Sequence, residues 1–274
     1  SVSNMKQNKV KCNLDETLMN KLYKGDCLEV MKLIPDGSID AIITDPPYGT
    51  TACKWDSVID FELMWEQLNR IIKPNGAIVL FGSEPFSSAL RMSNIKNYKY
   101  DWVWDKVQPT GMPLVKKMPM KQHEIISVFY SKQPIYNRQM SDRPKKDIRV
   151  NAVKNKLNQK TNVGYEHNGK MICKYADDYD PTKVNPKSIL TFSKQPKRVK
   201  NLHPTQKPIA LMEYLVKTYT NENETVLDFT MGSGSTGVAA KNTNRNFIGI
   251  EMDDKYFDIA TERINKEEPQ KELF

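Results

Sequence analysis

The stretch that most restricts the fold is Thr225-Val226-Leu227-Asp228-Phe229, an apolar, β-branched run that reads as a buried strand. It leads into Thr230-Met231-Gly232-Ser233-Gly234-Ser235-Thr236-Gly237, after which Val238-Ala239-Ala240 opens a helix. Gly232 and Gly234 permit a tight turn and close approach of a ligand to the backbone. The helix start offers free N–H groups to a carboxylate. A second strand, Asn246 to Ile250, ends in Glu251, about the 20-residue spacing at which an acid meets ribose hydroxyls. Strand, glycine loop, helix and strand in this order predict a Rossmann-like α/β sheet.

Gly232, Gly234 and Gly237 also spell G-x-G-x-x-G, so a nicotinamide-dependent oxidoreductase competes at this point. Two features count against it. After a helix expected over Asp253 to Ile264, too little chain follows to build the rest of a sheet. The earlier part of the chain also carries groups that hydride transfer does not need.

The first of these is Asp45-Pro46-Pro47-Tyr48, directly after the strand-like Asp40-Ala41-Ile42-Ile43-Thr44. The two prolines stop the strand ladder and hold the backbone extended. A carboxylate, fixed carbonyls and an aromatic ring are thereby presented at the carboxyl end of a core strand, where open α/β sheets bind ligands. Asp45 and the Pro46 carbonyl can each accept one N–H of an exocyclic base amine, localising the nitrogen lone pair for attack. Tyr48 offers a stacking face. A strand-ending turn with a capping Asp and a core Tyr explains any one of these residues, but less readily all four together.

The rest of the chain supplies a sheet. Leu22 to Cys27 reads as a strand and turn with Asp26 capping a helix over Leu28 to Ile34. Phe61 to Ile71 has helical apolar spacing and ends at Lys73-Pro74-Asn75-Gly76. A strand is expected over Ala77 to Phe81, a helix over Ser87 to Met92, and strands over Asp101 to Trp104 and Glu124 to Tyr130. Gly49 to Asp56 reads as a mobile loop over the site, with Trp55 either in it or on the core. Lys106 to Gln122, with Pro, Gly and four lysines, reads as a flexible or DNA-facing loop.

Residues 131–200 differ in kind. They hold 17 Lys and Arg against 6 Asp and Glu, net +11, in a chain whose total is +8, so the remainder carries −3. A solvated insertion has that charge, but Tyr136, Tyr165, Tyr175, Tyr179 and Phe192 exceed what a solvating linker needs. Cations that neutralise phosphates, with Asn, Gln and Arg to read base edges, favour a nucleic-acid partner. The four cysteines, Cys12, Cys27, Cys53 and Cys173, form no C-x-x-C pair, which suggests no zinc site and fits a reducing cytoplasm. No run approaches the length of a membrane span, and no secretory signal is visible.

Asp45-Pro46-Pro47-Tyr48 after an apolar strand resembles the catalytic motif of the amino-methylating DNA methyltransferases, which use S-adenosylmethionine (AdoMet). His203-Pro204-Thr205-Gln206-Lys207-Pro208 and the glycine loop extend the likeness over most of the chain. Catalytic motif, basic insert, then cofactor motif is the circularly permuted order of the β class, and the sequence looks like a complete member. The resemblance implies a mixed, mostly parallel sheet, with a core of 1–130 and 201–274 and a target-recognition insert of 131–200. It implies cofactor contacts from Asp26, Asp45, Thr205 and Lys207, and from Asp228, Phe229, Gly232, Ser233, Gly234, Thr236, Glu251 and Met252. It implies Asp45, Pro46, Pro47 and Tyr48 as catalytic, with no metal, and double-stranded DNA as partner. Adenine N6 is expected ahead of cytosine N4, whose enzymes often have Ser in the place of Asp45. Some relatives form homodimers, though no interface is legible here. From other classes, an inactive DNA-binding protein remains open beside the oxidoreductase.

Overall fold

The computed structural model describes residues 20–49, 58–145, 166–167, 170–171, 180, 182–193 and 206–266. It divides into two compact units, 1–137 with 188–274, and 138–187.

The larger unit is an eight-stranded sheet. Its strands are β1 (Lys21–Lys24), β2 (Ile39–Thr44), β3 (Ile72–Gly82), β4 (Tyr98–Thr110), β5 (Lys121–Phe129), β10 (Ile189–Thr191), β11 (Thr225–Asp228) and β12 (Asn246–Glu251). Across the sheet they run β1-β12-β11-β2-β3-β5-β4-β10. Every neighbouring pair is parallel except those made by β5, which runs against both β3 and β4. The sheet is therefore mixed and mostly parallel. The glycine loop after β11 and Asp45 after β2 leave adjacent strands at the same edge, where the strand order reverses.

Alternation along the strands sends side chains to two cores. Ile39, Ile42, Ile78, Leu80 and Leu227 pack on one face against Met64, Trp65, Leu68 and Ile71 of α2 (Phe61–Ile71) and Leu90 of α3 (Phe86–Ser93). Ala41, Ile43, Val79, Phe81 and Val226 pack on the other against Leu211, Leu215 and Val216 of α4 (Ile209–Tyr219) and Ala239 of α5 (Ser235–Asn242). Both faces being covered, the central strands are continuous apolar runs, as buried parallel strands must be. The remaining helices are α1 (Cys27–Met31) and α6 (Asp254–Lys266). Among the described residues no helix is long and apolar enough to cross a membrane.

Three expectations are corrected. β3 begins directly after α2, so Lys73 to Gly76 lies in the strand rather than forming a separate turn. β4 and β5 extend into the expected Lys106–Gln122 loop and pair as far as Thr110 with Lys121, because each supplies the other's backbone partners. Lys106 is consequently buried instead of facing solvent. The smaller unit is also narrower than the expected insert: β10, within 131–200, pairs with β4 and belongs to the sheet. Inside residues 138–187, β6 (Ser141–Asp142) pairs with β9 (Lys183–Val184), and β7 (Glu166–His167) with β8 (Lys170–Met171), both antiparallel.

Candidate active site

Hydrogen bonds made by threonine side chains tie the ends of β2 and β11 together. The Thr44 hydroxyl donates to Asp228 Oδ1 at 2.8 Å and accepts from the Phe229 amide at 3.0 Å. The Thr230 hydroxyl donates to the Asp45 carbonyl at 3.1 Å. Asp228 Oδ2 accepts from the Thr236 hydroxyl at 2.5 Å, so this carboxylate braces the glycine loop from beneath. Burial pushes the Asp228 carboxyl from its ordinary 3.8 up to about 6, even though these donors oppose the shift.

That shift gives a stability prediction. The folded protein binds the Asp228 proton more tightly than the unfolded chain, so stability falls as pH rises from about 4 to 6. The full effect, on the order of 2–3 kcal/mol at neutral pH, follows from the rise from 3.8 to about 6. Asp228→Asn is expected to flatten this part of the curve in thermal melts taken across that window. An unchanged slope would mean that the carboxylate is not costly to bury.

The loop turns through Gly232 (φ +51°) and Gly234 (φ +80°), both left-handed. Glu251 locks its start: Oε2 accepts from the Gly232 amide and Oε1 from the Asp253 amide, each at 2.8 Å. Burial raises the Glu251 carboxyl, partly offset by these amides. At Gly237 an added Cβ would lie 2.5 Å from Ile264 Cδ1 and 2.6 Å from the Phe247 ring, so this glycine serves helix–sheet packing.

Above the loop lies a cavity of about 350 Å³, within the range of small-molecule sites. Asp45, Pro46, Pro47, Tyr48 and Lys207 line it. Asp228, Phe229, Gly232, Ser233 and Thr236 line it as well, and so do Asp26, Glu251 and Met252. Asp26 caps α1 as well, accepting from the Leu28 amide at 2.8 Å, so its helix-cap reading and its cavity position hold together. Gly234 is the exception: it does not line the cavity but faces α6, where a Cβ would sit 3.0 Å from Ala260 Cβ. Thr205 lies outside the described residues, as do His203, Pro204, Trp55, Tyr165, Tyr175 and Tyr179.

Around Asp45 is an ion cluster. Lys207 Nζ sits 2.5 Å from Asp45 Oδ2 and 3.2 Å from Glu124 Oε2, over the faces of Phe81 and Trp104 at 5.1 and 5.9 Å from their centroids. Lys106 adds a contact to Glu124 at 3.4 Å. The Tyr48 hydroxyl donates to Asp45 Oδ1, and its ring tilts against Phe86 with centroids 5.0 Å apart. Burial raises the Asp45 carboxyl, and Glu124 adds to the rise against the pull of Lys207. Burial alone would raise Glu124 too, but Lys207 and Lys106 outweigh it and hold it below the ordinary range. Lys207 is held protonated, its burial overcome by Asp45 and Glu124. Glu124, which stood only at the start of an expected strand, joins the site because β5, antiparallel to β3, begins beside the carboxyl end of β3.

A family model described as DNA methylase, of the N6/N4 type, matches residues 39–262. The chain belongs to the DNA methylase family. This methylase is 30% identical over 277 residues to the type II methyltransferase M.BglII of Bacillus subtilis, covering 93% of this chain and 72% of that one. To M.HinfI of Haemophilus influenzae it is 28% identical, with coverage of 95% and 72%. Among solved structures, the M1.HpyAVI–SAM complex superposes with a TM-score of 0.58 at 28% identity, covering 89% of this chain and 98% of that chain. The cytosine-N4-specific PvuII DNA methyltransferase has a TM-score of 0.61 at 17% identity over 91% and 88%, a likeness of fold alone.

The methylase is therefore an AdoMet-dependent DNA methyltransferase, and neither the oxidoreductase reading nor that of an inactive DNA-binding protein is retained. Its cavity fits that cofactor. Glu251 has lone pairs beyond those its two amides use, and the buried Ser235 Oγ, at the α5 start, has no hydrogen-bond partner among the described residues. Among the described residues no group of three or more His, Cys, Asp or Glu is placed to hold a metal ion.

Proposed function

We propose that the methylase transfers the methyl group of AdoMet to the exocyclic N6 of an adenine flipped out of duplex DNA. The observation that carries this reading is the Asp45 carboxylate, held by Tyr48 and Lys207 in the same cavity that Glu251 and the glycine loop line. Glu251 accepts the ribose hydroxyls, and the α5 start with Ser233, Ser235 and Thr236 receives the methionine end. Asp26 and Met252 flank the adenine end of the cofactor. AdoMet, when bound, supplies a methyl already activated by its sulfonium.

The remaining work belongs to the chain. Asp45 and the Pro46 carbonyl accept the two amine hydrogens, draw the nitrogen out of conjugation and aim its lone pair. Tyr48 stacks on the base, typically worth roughly 1–3 kcal/mol. Lys207 and Glu124 position Asp45: the ammonium fixes one carboxylate oxygen, and Glu124 fixes the ammonium. Both Asp45 oxygens retain a lone pair for the amine. When the new N–C bond forms, nitrogen sheds a proton, and Asp45, whose carboxyl is raised by burial, is the adjacent base.

Target recognition falls to the basic residues 131–200, whose cations suit a DNA backbone. The likeness to enzymes named type II methyltransferases supports a restriction–modification setting, and the DNA substrate supports a cytoplasmic location. The test is to incubate purified methylase with AdoMet and unmodified DNA, then digest the DNA and identify its nucleosides by mass. N6-methyldeoxyadenosine is expected. N4-methyldeoxycytidine instead would overturn the choice of base.

A further inference from the structure

Beyond Glu124, β4 and β5 run on as a hairpin, pairing at Asp105 with His123 and again, past an irregularity over residues 106–109, at Thr110 with Lys121, about 10 Å along β5 at roughly 3.3 Å per residue. β5 is antiparallel to β3, with Ile125 opposite Gly82, so this end of the hairpin projects past the edge of the sheet at which Asp45 sits. Its tip is folded. Gly111 turns it with φ +99°, a short 3₁₀ turn follows over Met112–Leu114, and the Lys117 and Met118 amides both donate to the Leu114 carbonyl at 2.8 and 3.0 Å.

The side chains on that tip are unusual for a surface. Met112, Leu114, Val115 and Met118 are 64, 45, 50 and 54% exposed. Exposed apolar clusters commonly mark an interaction site. Lys116 and Lys117 stand among them, also exposed, and no Asp or Glu occurs between Lys106 and Gln122. An apolar tip flanked only by cations complements a polyanion whose interior is apolar, which describes stacked bases between phosphates.

We propose that this hairpin is a DNA wedge: its apolar tip enters the base stack beside the target and fills the space that the flipped base leaves. The inference rests on methylation of a base in duplex DNA. Met, Leu and Pro side chains unstack base steps in this way in other settings, and Lys116 and Lys117 anchor the tip to adjacent phosphates. The preformed turn, stiffened by Pro113 and Pro119, spares the ordering entropy of a loop.

The test compares the wild type with a variant carrying Met112→Ser, Leu114→Ser, Val115→Ser and Met118→Ser. Both are assayed on duplexes containing the methylated motif that sequencing identifies, with the target base either paired or opposite an abasic site. On the paired duplex the variant's single-turnover rate is expected to fall by roughly 10–100-fold, because the wedge no longer offsets unstacking. With the target already unpaired it is expected to stay within about threefold of wild type, because without a base pair to break the base leaves the helix at a much smaller cost. 2-Aminopurine at the target brightens with wild type and much less with the variant. Equal losses on both duplexes, or no loss on either, would overturn the wedge. A loss that follows dissociation of a dimer in sedimentation would instead make the tip a contact between two copies of the chain. Wild-type methylation of the unpaired target reports on the chemistry separately from the hairpin.

Discussion

Asp45→Ala is expected to reduce methyl transfer by at least about 10²–10³-fold, the range for removing one preorganised electrostatic contact to a reacting group. The loss is expected to fall on kcat, because in the proposed mechanism the carboxylate acts on the amine as its nitrogen changes geometry. AdoMet affinity should remain largely intact. In the proposed function Glu251 and the glycine loop hold the cofactor, and the hydrogen bonds of Glu251 to the Gly232 and Asp253 amides do not include the Asp45 side chain. Fold loss is separable from chemistry in the same preparation, since calorimetric titration with AdoMet reports the intact loop. Near-normal turnover in the variant would remove Asp45 from the reaction. Loss of AdoMet binding along with turnover would make it structural.

Lys207→Met carries the next largest effect. The ammonium lies between two carboxylates and over two aromatic rings, and the lysine is only 7% exposed. Its removal leaves Asp45 and Glu124 facing each other, with Lys106 near the second. Breaking a buried ion pair from one side costs about 3–5 kcal/mol. The sign of the pH effect follows from the same geometry. Without Lys207, burial and the neighbouring Glu124 push the Asp45 carboxyl further up. The proposed mechanism needs Asp45 ionised, so the acid limb of the rate profile is expected to move to higher pH. Stability moves the other way: the variant's deficit is smallest at low pH, where the carboxyls are protonated. It grows as pH rises through their raised values. Adding Glu124→Gln to Lys207→Met should recover part of the lost stability, since it removes the second carboxylate. An unshifted rate profile with normal turnover would show that the lysine is not coupled to Asp45.

Much of this arrangement was legible because short contiguous motifs carry it. A buried strand followed by two prolines fixes where Asp45 must emerge, and strand–glycine loop–helix–strand fixes the loop beside Glu251. That the N- and C-terminal strands share one sheet was implied by the resemblance, through its circularly permuted motif order. The ion cluster was harder to see, because it depends on β5 entering the sheet reversed. Glu124 sits in a segment that reads as an ordinary strand, and nothing local announces that its side chain will meet Lys207. Lys207 itself reads as a cofactor contact from its motif. It does line the cavity, yet its ammonium is directed to Asp45 and Glu124. Lys106 looks like a loop cation until β4 is found to continue through it. Gly234 fits a ligand-facing signature equally well whether it approaches a ligand or, as here, packs on Ala260.

The central claim is that the Asp45 pocket methylates one base within a defined DNA sequence. Single-molecule sequencing of DNA from cells making the wild type, beside DNA from cells making Asp45→Ala, tests it most directly. The account predicts N6-methyladenine at one recurring motif with the wild type, and none at that motif with the variant. The same modification in both samples, or none with the wild type, would contradict it.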